Sequence, residues 1–184
     1  MKHRLLKTGA LGLITLAGAS SGSQVAAQAN PPSDLFASDS VLQFTLSADL
    51  DQVMDDRSQD SEEHQAIVWI TGADGDTVEV PLQVRTRGRF RLQKNICPFP
   101  PLRLNFQESQ PRETVFDGQD KLKLVTHCHD RESFEQNTLE EYLAYRIFNQ
   151  LTTESSQVRL VRITYLDSSG RNEPITRFGF LIED

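Results

Sequence analysis

The chain lacks most of the spellings that announce a chemistry. It has only two cysteines, and its 19 Lys and Arg are outnumbered by 26 Asp and Glu, for a formal charge of -7. Neither GxxxxGK[ST] nor GxGxxG occurs, so no glycine-rich phosphate loop is spelled out. The one concentrated apolar run, residues 10–19, falls well short of the ~20 residues a helix needs to cross a bilayer. Net acidity of this size repels nucleic acid and anionic lipid, so any binding of anions has to be local. Neither a nucleic-acid partner nor a membrane anchor is expected.

What is present begins with an export signal. Lys2, Arg4 and Lys7 form a positive n-region, Ala10 to Ala19 an apolar h-region, and Ala27-Gln28-Ala29 an A-x-A cleavage site. Residues 1–29 are therefore expected to be removed, leaving a chain that starts at Asn30 in the periplasm or outside the cell. Setting aside those three basic residues takes the formal charge from -7 to -10. Residues 30–38, NPPSDLFAS, read as a linker, and 39–184 as one domain long enough to bury a core. In an oxidising compartment the even cysteine count favours a disulfide between Cys97 and Cys128.

Alternating apolar residues mark the strands. Val41 to Leu46 reads as a strand, after which Ser47 caps a short helix carrying Leu50, Val53 and Met54. Residues 55–64, DDRSQDSEEH, have no apolar period and read as a solvated acidic loop rather than a calcium site. Gln65 to Thr71 and Thr77 to Thr86 are strands joined through the Asp74-Gly75 hairpin signal. Leu102, Leu104 and Phe106 alternate with Arg103 and Asn105, and Leu122 and Leu124 with Lys121 and Lys123. Pairing of those two strands as a hairpin brings Cys97 towards Cys128.

Ser133-x-x-Gln136 is a capping-box spelling that opens a helix from about Phe134 to Leu151. Leu139, Tyr142, Leu143, Ile147 and Leu151 form its apolar stripe, expected to pack on the sheet. Val158 to Leu166 and Pro174 to Ile182 are two final strands. The expected fold class is α+β, a mostly antiparallel sheet with one long packed helix.

The stretch VRTRGRFRLQ carries the main functional signal, with Arg85, Arg87, Arg89 and Arg91 at alternate positions. In an extended strand they would share the outward face, with Val84, Phe90 and Leu92 behind them. Together with Arg103, Lys121 and Lys123 they would make a cationic face suited to forked hydrogen bonds with phosphate or carboxylate. The alternative is an ordinary salt-bridged surface, since most surface charge runs carry no function. Glu140 and Glu141, on the helix, are the candidate ion-pair partners of this face. His127-Cys128-His129-Asp130 holds residue types that bind zinc, but no second ligand cluster is visible, so no metal site is assigned. No residue is assigned a catalytic role.

The ordered pieces RTRGRFR, PPLRLNF, DKLKLVTH, the helix with Asn137 and LAYRIFNQL, and the closing RFGFLIED resemble the N-terminal part of CotH-like proteins. These are atypical, protein-kinase-like enzymes with many exported bacterial relatives. The resemblance covers roughly residues 80–184. Arg87-Gly88 matches the family's RG core, Arg103 the arginine of its basic strand and Asn137 its helix asparagine, while Gln136 and Pro100-Pro101 depart from the pattern. It implies a fold similar to a kinase N-terminal lobe without its C-terminal lobe, where the catalytic and metal-binding aspartates of such an enzyme lie. On that implication the chain alone needs no cofactor; ATP and Mg would enter only with a C-terminal lobe, with Arg87, Arg103 and Lys123 clamping phosphates. The resulting expectation is an exported domain that binds phosphate or another anion, a truncated or incomplete phosphotransferase capable of phosphoryl transfer only with a C-terminal lobe, partnered by a phosphorylated ligand or an acidic exported or envelope protein. The alternative is a non-catalytic cell-envelope module that uses the same face for an acidic protein or glycan.

Overall fold

The computed structural model describes residues 34–71, 74–106 and 114–184. The signal-peptide expectation at 1–29 lies outside the described residues, as do the first residues of the stretch read as a linker and part of the hairpin turn. Seven strands close into a barrel: β1 (Leu42–Ala48), β2 (His64–Thr71), β3 (Thr77–Thr86), β4 (Leu102–Asn105), β5 (Lys121–Val125), β6 (Val158–Asp167) and β7 (Ile175–Glu183). Around the barrel the order is β1-β2-β3-β4-β5-β7-β6, and the ring is completed by β1 lying parallel to β6. Every other pairing is antiparallel.

Closure overturns the expectation of an α+β sheet similar to a kinase N-terminal lobe. An open sheet buries one face against a helix, whereas here the sheet curls on itself and buries its inner face against itself. Leu46, Val68, Val84, Leu104, Leu122, Leu124, Ile163, Tyr165 and Leu181 fill the interior, each at most 1 % exposed. Because side chains alternate along each strand, the intervening residues face outward, and these include Arg85, Arg103 and Lys123.

Among the described residues, three short helical pieces and one long helix decorate the barrel. The stretch read as a linker carries α1 (Asp34–Ala37), whose Leu35 and Phe36 are buried in the core. Arg159 holds α1 in place by donating to Leu35 O at 2.8 Å and Ser40 O at 2.7 Å. The helix α2 (Leu50–Asp55) is capped by Asp49, which accepts from Gln52 N at 3.1 Å, and not by Ser47, which lies in β1. A 3-10 turn follows at Phe90–Leu92.

The long helix α3 (Glu132–Leu151) packs outside the barrel on β7 and β6 through Tyr142 and Tyr145 against Phe180. Its N-cap is Arg131, without a side-chain bond, and Ser133 is already inside the helix. The expected stripe does not lie down: Leu143, Ile147 and Leu151 are 55 %, 62 % and 75 % exposed. Only a narrow strip around Tyr142 meets the sheet, since the strands' apolar residues are mostly spent on the barrel interior.

The disulfide forms as expected. Cys97 and Cys128 are joined, and Phe99 N donates to Cys128 O at 2.9 Å beside them. Such a bond is compatible with an exported protein. Among the described residues no helix is long and apolar enough to cross a membrane.

Candidate functional site

The outward face of β3, β4 and β5 sets three cations abreast. Arg85 stands opposite Arg103, and Arg103 opposite Lys123. Like charges directly opposed across strands repel, so the row needs counter-ions. Glu63 approaches Arg85 at 3.8 Å. Asp184 Oδ1 is shared by Arg103 at 3.1 Å and Lys123 at 3.4 Å, and Lys123 also donates to Glu183 O at 3.1 Å. Lys121 lies one ladder step along, opposite Asn105, and does not join this group.

The remaining arginines do not continue the row. β3 ends at Thr86, and Arg87 N still bonds to Pro101 O at 2.9 Å. At Gly88 the chain takes φ +118°, a conformation that glycine alone adopts freely, and the alternation is lost. Phe90, expected to face inward, is instead 65 % exposed. The physical reason is that the 3-10 turn at Phe90–Leu92 swings Phe90 outward, while Leu92 stays buried as expected.

What the bend creates is a cleft of about 470 Å³ between this loop and α3. Arg87, Arg89, Arg91 and Lys123 line it from the barrel side, with Glu141 and Tyr145 contributed by α3. Arg91 is tied to Glu141 at 2.6 Å, so Glu141 is the helix carboxylate that reaches the cations. Glu140 instead accepts from Gln136 at 3.0 Å. Arg89 is exposed and its side chain has no partner among the described residues.

Arg87 is the distinctive member. Its guanidinium has no hydrogen bond or ion pair among the described residues. Burial pulls its pKa below the ordinary value, the charge of Arg103 adds to that, and Tyr145 and Asp184 act in the opposite sense. A half-desolvated cation without a counter-ion is costly unless an anion arrives to pair with it.

The His127–Asp130 run disperses. His127 is buried, His129 Nε2 lies 2.8 Å from Ile96 O, and Asp130 pairs with Arg177. Among the described residues no group of three His, Cys, Asp or Glu is placed to hold a metal. Sequence reasoning missed Tyr145 and Asp184, because neither belongs to a basic run; each reaches the cations only through the tertiary fold. No protein-family model matches the chain, nor does any curated protein or solved structure.

Proposed function

We propose that this chain is an exported anion-binding domain whose cleft at Arg87, Arg89 and Lys123 receives a phosphate or carboxylate group. The observation that carries the reading is Arg87: partly desolvated, lining an open cleft, and without a counter-ion. A second feature supports it. The neighbouring cations Arg103 and Lys123 already share one carboxylate, that of Asp184, so this face pairs with an anionic oxygen of the chain itself. The proposed partner is a phosphorylated ligand or an acidic segment of an exported or envelope protein. Phosphoryl transfer and its ATP and Mg are not carried forward, since they rested on a kinase-like lobe and the fold is a closed barrel.

Titration with inorganic phosphate at low ionic strength, followed by arginine side-chain resonances, tests the proposal. Arg87→Gln is expected to weaken phosphate at least ~10-fold, the loss of a charge-assisted fork. Binding should fall steeply with added salt, because the site is open to solvent. Phosphate that binds equally well to wild type and Arg87→Gln, or to neither, would leave the row as an ordinary salt-bridged surface.

A further inference from the structure

A second cleft, of about 410 Å³, lies where strand ends gather at one mouth of the barrel. Leu50 and Met54 follow β1, Phe99 precedes β4, His127 and Cys128 follow β5, and Ile175 opens β7. Barrel mouths are recurrent sites for small ligands, and the volume falls within the usual ~300–1,000 Å³ range. The rim is fixed in advance. The Cys97–Cys128 disulfide ties its two segments, Thr126 Oγ1 donates to Phe99 O at 2.7 Å, and Arg57 donates to Cys97 O at 2.8 Å.

Under the rim stand three rings in mutual contact. Phe99 lies 4.6 Å from His127 and 4.7 Å from Tyr165, and the latter two are 5.6 Å apart, centroid to centroid. His127 is 1 % exposed and Tyr165 wholly buried, yet neither the Nδ1 of His127 nor the Tyr165 hydroxyl has a hydrogen-bond partner among the described residues. Buried polar groups are normally satisfied, and two orphans in one ring cluster call for a missing partner. A single water needs only ~30 Å³, far less than this cleft holds.

We propose that this mouth binds an uncharged, ring-sized apolar molecule bearing a hydroxyl, which pairs with the imidazole of His127. Leu50, Met54, Phe99 and Ile175 supply the apolar walls. Anions are disfavoured by Asp51, Asp130 and Glu173 at the rim, and a cation brought to His127 meets the field of Arg177. A hydroxyl both donates and accepts, so it satisfies a neutral imidazole in either tautomer.

Phenol is the probe, with toluene as the match that lacks the hydroxyl, added to the full chain labelled with ¹⁵N. Phenol is expected to shift the His127 ring nitrogens and to bind at least ~10-fold more tightly than toluene, the worth of one buried hydrogen bond. His127→Phe should remove that preference, while Arg87→Gln should leave it intact, which separates this site from the anion cleft. Unmoved His127 resonances, or equal binding of phenol and toluene to the wild type, would overturn the proposal. Neither of those readings depends on a variant that folds.

Discussion

Arg103 and Lys123, neighbours across β4 and β5, share a single carboxylate oxygen of Asp184, at 3.1 Å and 3.4 Å. The chain thereby neutralises part of its own cationic row. Asp184 also acts on the adjacent Arg87, whose own guanidinium is left without a direct counter-ion. On the proposed reading, Asp184 competes with an incoming anion for the same face.

Asp184→Asn is accordingly expected to tighten inorganic phosphate several-fold. The pair is partly exposed, so the change should cost less than ~1 kcal/mol of stability. Calorimetric titration of both proteins at one low salt concentration reads the first effect, and urea unfolding the second. Weaker phosphate in the variant would mean that Asp184 orients the cations rather than blocking them.

Tyr165 makes a different prediction. Its hydroxyl is buried without a partner, and burial raises its pKa above the ordinary value. Tyr165→Phe removes an unsatisfied polar group and leaves the ring in place against Phe99. Stability should be unchanged or rise by about 1 kcal/mol, measured by urea unfolding without ligand. A loss of similar size would show that the hydroxyl is satisfied in solution.

Much of the strand content was legible, because Val78, Val80, Leu82 and Val84, then Leu102 and Leu104, then Leu122 and Leu124, alternate as half-buried strands must. Barrel closure was not. It rests on β1 meeting β6 in parallel, a pairing between residues such as Leu42 and Val161 that no local pattern encodes. The arginine alternation misled for a related reason. Period two predicts a row only while the backbone stays extended, and Gly88 with the turn at Phe90–Leu92 ends that at Arg87. Arg103 and Lys123 were readable as outward cations, whereas Tyr145 and Asp184 come from elements whose placement depends on the whole barrel. The α3 stripe of Leu143, Ile147 and Leu151 has helical spacing but no sheet surface beneath it.

The disulfide closes a loop with a sequence separation of 31. Chain-entropy arguments assign such a crosslink about 3–4 kcal/mol, through the unfolded state. Replacing both Cys97 and Cys128 by serine should lower guanidinium stability by that order. The phenol site should loosen with it, since the disulfide fixes the rim that includes Phe99. A loss under ~1 kcal/mol would mean that Arg57, which bonds Cys97 O and Pro98 O, already holds the segment.

The most direct test of the buried imidazole is the pH dependence of stability. Burial pushes the pKa of His127 down to about 4; the charges of Arg177 and His129 act in the same direction and Asp130 opposes them. In the unfolded chain the group titrates near 6.5. Above pH 6.5 both states are neutral and the residue contributes nothing to pH dependence. As pH falls from 6.5 to about 4 the unfolded state takes up a proton that the folded state refuses, so stability declines, by up to ~3 kcal/mol. Below that window Asp167 takes over. Burial would raise its pKa, but hydrogen bonds from Ser169, Asn172 and the Leu50 backbone outweigh it and hold the carboxyl below its usual range. Its stabilisation is therefore lost only as the solution becomes more acid than about pH 4. Urea midpoints at pH 7.5, 5.5 and 4.5 for wild type and His127→Gln resolve the upper window. The wild type should fall across that series by a larger step than the variant, while parallel curves would show that His127 accepts its proton in the folded state.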